Sequence, residues 1–230
     1  MRVISMDWRD VCVASYAVDP AVVAGTLPDG VSVDTFDGDA YLSVVPFVMG
    51  DVRPYRFPRD IGPTFGELNL RTYVTGDAGP GIYFYNLDAT DRLGVAVARA
   101  TYKLPYYNAS QRVVRRGDTV EFESERTHEG VPPCEFDAEY TPRGDPEPAE
   151  PGSLSEFLLE RYRFYVEGSG TLLRGEVEHD PWRLQEATYD IRENDLFTVN
   201  GFETPDDDPH VVYSPGVEVA AHAPTRVPRS

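Results

Sequence analysis

Short segments with the composition of β-strands recur along the chain, and they constrain its fold more than any other feature. They are rich in Val, Tyr, Phe and Thr and are bounded by Gly, Pro and Asp. Because no regular βαβ rhythm connects them, the pattern favours an α+β fold that is predominantly antiparallel β, with a hairpin joining 68–74 to 81–87. The predicted strands cover residues 11–18, 31–36, 40–48, 68–74, 81–87, 119–125, 136–141, 172–177 and 184–189.

Helix signals occur in three further segments. Asp19 as an N-cap, followed by Pro20, predicts a short early helix. Residues 91–102 have an acidic start and apolar residues at helical spacing, which predicts a buried helix. Ser153 and Glu156 form a capping box that begins a later helix.

The chain is expected to fold as a single domain over residues 1–230, since neither half alone has a complete set of core segments. Four prolines in 142–152 predict an extended connector that forms no regular element. Residues 223–230 are interpreted as a frayed tail.

The charged residues are unusual in type as well as in number. Lys103 is the single lysine against 20 arginines, and 39 acidic residues give a net charge of −18. In molar salt the Debye length is about 3 Å, so an acidic surface stays hydrated without strong self-repulsion. The composition therefore predicts a halophilic protein, of haloarchaeal type. The absence of a basic stripe argues against nucleic acid or an anionic membrane as a partner.

The N-terminal residues predict a cytoplasmic location. Asp7, Arg9 and Asp10 lie where a secretory signal would require an apolar stretch. No apolar run approaches the roughly 20 residues that span a bilayer.

Motifs for metals and cofactors are missing, so neither is expected. The sequence has no Walker loop, GxGxxG, HExxH or GxSxG motif. Cys12 and Cys134 lie far apart without a CxxC partner and are interpreted as core residues. Four histidines occur singly, without metal-ligand spacing: His128, His179, His210 and His222.

Three polar residues alternate along one predicted strand. Glu67, Asn69 and Arg71 occur at period two, so their side chains share one face of the strand. If that face is exposed they form a solvated surface, and if it is buried they pair with one another or with a ligand. In the second case Arg71 offers a planar fork for a carboxylate, and Glu67 can act as an acid or a base.

Six segments, in order along most of the chain, carry a resemblance to a known family. They are 27–47, 67–74 (ELNLRTYV), 81–89 (GIYFYNLDA), 98–109 (ARATYKLPYYNA), 154–165 (LSEFLLERYRFY) and 175–187 (GEVEHDPWRLQEA). Together they resemble the YqjF-like family of uncharacterised proteins, which is in turn distantly similar to acetoacetate decarboxylases. The resemblance implies a mainly antiparallel β-barrel or cone, with peripheral helices and a closed internal cavity.

The chain departs from the decarboxylases at their catalytic lysines. Those enzymes form a Schiff base on a lysine whose pKa a second lysine lowers, within a motif that ends in Pro-Lys-Lys. Here Tyr106 and Tyr107 follow Pro105 in place of both lysines, and Lys103 precedes the proline. Schiff-base decarboxylation is therefore not expected. The resemblance also places Glu67 near a cavity glutamate of the decarboxylases.

The candidate site follows from these residues. Tyr106 and Glu67 are the candidate catalytic groups. A cluster at 179–182 could close a pocket, although a hydrogen-bonded turn residue is the favoured interpretation of His179. The candidate ligand-binding residues are Arg71, Asn69, Tyr107, His179 and Trp182.

Three functions are compatible with the sequence. The first is binding of a small molecule, expected to be anionic and a carboxylate or carbonyl compound, in the cavity. The second is a lysine-independent decarboxylase-like, isomerase-like or hydratase-like enzyme acting on a small oxo acid. The third is a protein that acts only through its surface or through a homo-oligomer interface.

Overall fold

The structure is a computed structural model that describes residues 1–90, 104–168 and 171–227, so the helix expected over 91–102 lies outside the described residues. Within them the helices are α1 (Pro20–Ala24), α2 (Leu154–Leu159) and α3 (Leu196–Val199). The strands are β1 (Arg2–Val18), β2 (Val31–Val33), β3 (Ala40–Pro54), β4 (Phe65–Gly76), β5 (Gly79–Ala89), β6 (Tyr106–Arg116), β7 (Thr119–Arg126), β8 (Glu135–Pro148), β9 (Arg163–Gly168), β10 (Thr171–Glu178), β11 (Arg183–Asn194), β12 (His210–His222) and β13 (Thr225–Arg226).

The strands form one continuous sheet that closes on itself. Its order is β13-β10-β9-β5-β6-β7-β8-β11-β12-β1-β3-β4-β2, and further pairings join β4 to β5 and β10 to β12. Those two pairings close a ring of seven strands: β1, β3, β4, β5, β9, β10 and β12. Strand β5 runs parallel to β6 and β9, whereas the other named pairs are antiparallel. The predominantly antiparallel α+β fold predicted from the sequence is confirmed.

The hairpin of β4 and β5 places the polar row of β4 beside its neighbours. A two-residue loop joins the strands, with Gly76 paired to Gly79. The φ of Gly79 is 103°, a region that favours glycine because it has no Cβ. The register then sets Glu67 opposite Ala89. The predicted hairpin is confirmed.

The two faces of β4 have different surroundings. Leu68 and Leu70 are fully buried in the main hydrophobic core, together with Phe122 of β7. Cys12 and Cys134 are buried in the same core as free thiols, as predicted. The alternate residues of β4 face a cavity instead, so one strand separates a packed core from an open interior.

Two of the predicted helix starts are confirmed by their caps. The carboxylate of Asp19 accepts a hydrogen bond from the Ala21 amide at 2.8 Å. The Ser153 hydroxyl accepts one from the Glu156 amide at 3.2 Å, and the Glu156 carboxylate accepts one from the Gly152 amide at 2.6 Å. No helix in the described part of the chain is long and apolar enough to cross a membrane.

The prediction of an irregular connector over 142–152 is wrong for most of its length. Strand β8 continues to Pro148, which pairs with Arg183 of β11. The pairing of β8 with β7 ends at Tyr140, so from Pro142 onward β8 has only β11 beside it. Prolines are tolerated there because an edge strand needs no ladder donor on its free side.

The prediction of a frayed tail over 223–230 is wrong for its described part, which ends at residue 227. Thr225 and Arg226 pair with β10, and the amide of Val227 donates to the Leu172 carbonyl at 3.0 Å. The side chain of Val227 is buried. A small apolar anchor therefore holds this segment to the sheet.

Candidate ligand-binding site

A cavity of about 230 Å³ lies within the seven-stranded ring. Its walls come from all seven strands. Five of the described lining residues come from outside these strands: Leu104, Tyr106, Leu159, Arg161 and Trp182. Of the described residues that line it, all but six have apolar side chains. The six are Glu67, Asn69, Arg71, Tyr106, Arg161 and Arg163.

Glu67 and Tyr106 form a hydrogen-bonded pair in the cavity wall. The Tyr106 hydroxyl donates to the Glu67 carboxylate at 2.6 Å. Strand β5 brings the two residues together, because its Ala89 pairs with Glu67 and its Leu87 pairs with Tyr106. Both side chains are buried, with relative exposures of 2% and 7%. The two candidate catalytic residues are thus adjacent, although 39 positions separate them in sequence.

The surroundings of this pair shift both pKa values upward. Burial raises the pKa of Glu67 to about 7, against the lowering effect of hydrogen bonds from Tyr106 and Asn69, and Asp88 raises it further. Burial and the neighbouring Glu67 raise the pKa of Tyr106 well above its ordinary value. Glu67 can therefore gain or lose a proton near neutral pH, whereas Tyr106 stays protonated and can donate a hydrogen bond.

Asn69 and Arg71 continue the polar row with unsatisfied groups. Asn69 is 3% exposed, and its Oδ1 has no hydrogen-bond partner among the described residues. The Nε of Arg71 likewise has none, and its Nη2 donates only a long bond, 3.5 Å, to the Leu158 carbonyl. No carboxylate of the described residues forms an ion pair with Arg71, and Glu67 bonds to Tyr106 instead. The row faces inward, and its members are not all paired with one another.

Two further arginines, which the sequence did not single out, line the cavity. The Arg161 guanidinium donates to Asp34 at 2.7 Å and lies 4.2 Å from the centre of the Phe157 ring. The Arg163 Nε lies 3.8 Å from a Glu176 oxygen and has no hydrogen bond among the described residues. The available signal was the spacing of two between Arg161 and Arg163, which is typical of residues on one face of a strand. The signal is weak because the two residues directly follow a helix.

Trp182 lines the cavity as predicted, whereas His179 does not. The Nδ1 of His179 lies 2.8 Å from the Asp180 carbonyl, and its ring stacks on Tyr162 at 4.6 Å. His179 therefore corresponds to the turn-residue alternative. Trp8 stacks on Trp182 at 5.9 Å and also lines the cavity, although the sequence around it gave no signal.

The expectation that Tyr107 lines the cavity is wrong. Neighbouring residues of a strand point to opposite faces, so Tyr107 points away from the side that Tyr106 occupies. Its ring lies 4.5 Å from the Arg126 guanidinium and packs edge-on against His128 at 5.4 Å.

A buried ion pair lies beside the hydrogen-bonded pair of Glu67 and Tyr106. Arg126 holds Asp88 with two hydrogen bonds, of 2.6 and 2.7 Å, and both side chains are at most 4% exposed. Asn86 donates to the same carboxylate at 2.6 Å. Asp88 lies between the partners of Glu67 and Tyr106 on β5, so this ion pair ties β7 to the strand that aligns them.

The described residues contain neither a metal-ligand cluster nor a lysine. No group of three or more His, Cys, Asp or Glu side chains within 1–90, 104–168 and 171–227 could hold a metal ion. The single lysine, Lys103, lies outside the described residues, and no lysine occurs among the described residues of the cavity wall.

The chain belongs to the DUF2071 family, whose description is "uncharacterized conserved protein" and whose match covers residues 5–218. The protein YqjF of Bacillus subtilis (strain 168) is 37% identical over 208 residues, which cover 90% of this chain and 85% of YqjF. The predicted YqjF-like family is confirmed.

Solved structures with a similar fold include an acetoacetate decarboxylase-like enzyme and an enduracididine biosynthesis enzyme. An acetoacetate decarboxylase-like enzyme from Sphingomonas wittichii RW1 has a TM-score of 0.66 at 12% identity, covering 100% of this chain and 95% of that one. The enduracididine biosynthesis enzyme MppR complexed with pyruvate has a TM-score of 0.64 at 12% identity, covering 99% and 91%. The acetoacetate-decarboxylase-like fold implied by the sequence is confirmed.

Proposed function

We propose that the protein binds a small organic carboxylate in its cavity, with the carboxylate on Arg71. The observation that carries the proposal is the Arg71 guanidinium, which lines a mostly apolar cavity without a carboxylate partner among the described residues. An unpaired charge in such surroundings is costly. A planar anion accepting two hydrogen bonds from the guanidinium would offset that cost.

The neighbouring groups support a second polar atom on the ligand. The Oδ1 of Asn69 accepts hydrogen bonds and suits a ligand hydroxyl. The Tyr106 hydroxyl donates its one proton to Glu67, and it can turn that proton to a ligand carbonyl oxygen when Glu67 is protonated. Two observations support a ligand site over the hypothesis that the protein acts only through its surface. Glu67 and Arg71 do not bond to each other, and a cavity adjoins Tyr106. MppR, which shares the fold, was solved with pyruvate, a small oxo acid of this kind.

A thermal-shift screen tests the proposal. We expect 2-oxo and 2-hydroxy acids to raise the unfolding midpoint in about 2 M potassium chloride, a condition chosen for the predicted halophilic surface. A ligand at 100 times its dissociation constant adds about 2.7 kcal/mol, or roughly 5 to 10 °C for a chain of this size.

Variants of Arg71 localise that effect. Arg71→Met should abolish the shift, and Arg71→Lys should keep part of it because the charge remains while the fork is lost. Arg112→Met is the matched control, since Arg112 lies in an exposed pair with Glu123 on the outer surface. An equal shift in wild type and Arg71→Met would rule out the clamp.

A second candidate function is proton transfer at a carbon beside a carbonyl, without lysine. The Glu67 pKa of about 7 favours it. Glu67 would remove the proton, and the bond electrons would pass to the carbonyl oxygen. The Tyr106 hydroxyl, which donates its one proton to the Glu67 carboxylate in the structure, would donate it to the resulting enolate once Glu67 is protonated. Return of the proton to carbon would complete the exchange.

Deuterium exchange into 2-oxobutyrate separates binding from this chemistry. In D₂O the wild type should exchange the C3 protons, as followed by NMR, faster than buffer does. Tyr106→Phe should lower the rate about 10²- to 10³-fold, as for the loss of one oxyanion donor, while the binding shift persists. Exchange no faster than in buffer would leave binding as the function.

A further inference from the structure

The apolar part of the cavity is extensive for a site that would hold only a small acid. On β3 and β5, the residues opposite Glu67 and Asn69 are Val45, Phe47, Leu87 and Ala89, all apolar. Across the ring, β1, β10 and β12 add an apolar wall of Trp8, Val11, Val13, Val177 and Ala221. A carboxylate head on Arg71 leaves these walls without a partner.

The size of the cavity leads to the same conclusion. An apolar protein cavity of about 150 Å³ accommodates benzene. The cavity here measures about 230 Å³, so a three-carbon acid would leave much of the apolar wall uncovered. An uncovered wall atom has no neighbour at van der Waals distance, so a short acid forgoes the dispersion attraction that a longer ligand gains there.

We infer that the ligand is an amphiphilic carboxylate with an apolar chain or aromatic ring of about six to ten carbon atoms. The inference rests on the proposed function, which supplies the carboxylate clamp. The head lies at the polar row of β4, and the body packs against the wall that includes Trp8 and Trp182. The ligand class is therefore a medium-chain or aryl-substituted oxo or hydroxy acid.

A homologous series of ligands tests the inference on the wild-type protein. Dissociation constants are measured by calorimetry for pyruvate, 2-oxobutyrate, 2-oxohexanoate, 2-oxooctanoate and phenylpyruvate. Each added methylene should tighten binding about fourfold. The constant should therefore fall about 250-fold from 2-oxobutyrate to 2-oxooctanoate, with phenylpyruvate far tighter than pyruvate.

The outcomes separate the two proposals. If the short acids bind as tightly as the long ones, or more tightly, the amphiphilic ligand is wrong and the carboxylate clamp stands. If no member of the series binds, the proposed function itself is wrong.

A pair of variants locates the apolar body. Ala221→Leu fills part of the cavity and should remove most of the gain of 2-oxooctanoate over 2-oxobutyrate, with 2-oxobutyrate little changed. Ala220→Leu is the matched control, because Ala220 faces the outer surface of β12. Equal chain-length dependence in both variants would contradict the placement of the body at this wall, and the wild-type series tests the ligand class even if Ala221→Leu does not fold.

Discussion

Replacing Arg126 by methionine should lower the free energy of unfolding by about 3 to 5 kcal/mol. The two hydrogen bonds from Arg126 compensate the Asp88 carboxylate, which is almost completely buried. Methionine fills much of the same volume but leaves the charge of Asp88 uncompensated, and Asn86 alone cannot replace a guanidinium. Urea unfolding of the two proteins at one pH and salt concentration measures the difference.

Arg112→Met serves as the control for this substitution. Its ion pair with Glu123 joins β6 to β7, the strand that also carries Arg126, but both side chains are about half exposed. It should therefore cost no more than about 1 kcal/mol. The double variant Arg126→Met, Asp88→Asn should recover part of the lost stability, since it removes the buried charge. Equal losses in the Arg126 and Arg112 variants would contradict the account.

Replacing Glu67 by glutamine should change how stability depends on pH. The pKa of Glu67 is about 7 in the folded protein and about 4.5 when the group is exposed. Below pH 4.5 the carboxyl is protonated in both states. As the pH rises from 4.5 through 7, the unfolded chain ionises Glu67 more readily than the folded protein does, so the stability contributed by the protonated, buried carboxyl is lost. The loss of unfolding free energy over this range is about 3 kcal/mol.

The measurement compares the two proteins at several pH values. Between about pH 5 and pH 8, Glu67→Gln should gain about 2 to 3 kcal/mol of unfolding free energy relative to the wild type. Other titrating groups occur in both proteins and cancel in the difference. A difference that does not vary with pH would mean that Glu67 keeps an ordinary pKa.

The sequence located most of the sheet because alternation and turn residues are local signals. It missed β6, β9, β12, β13 and the first half of β1. In β6, polar residues occupy many positions, so enrichment in apolar residues is weak, and in β12 Pro215 and Gly216 interrupt the run of apolar residues. The prolines of β8 were misread because only the neighbouring strands decide whether a proline edge is tolerated.

The candidate site was predictable where it depends on one strand and not where it depends on several. Their spacing of two predicted that Glu67, Asn69 and Arg71 share one face of β4. That this face is directed inward depends on the closure of the seven-stranded ring. The bond between Glu67 and Tyr106 depends on the register of three strands. Tyr106 and Tyr107 were indistinguishable in sequence, because which of two adjacent residues faces inward depends on the pairing of β6 with β5.

Because β4 lies between a packed core and an open cavity, substitutions on its two faces have different effects. Substitutions at Leu68 or Leu70 alter close packing and are removed through loss of folding. Substitutions at positions 67, 69 and 71 alter the polar groups that line the cavity. Under the proposed function, a lineage can therefore acquire new ligand chemistry along one face of this strand while retaining its architecture. A library randomised at those three odd-numbered positions would sample new specificities in proteins that still fold.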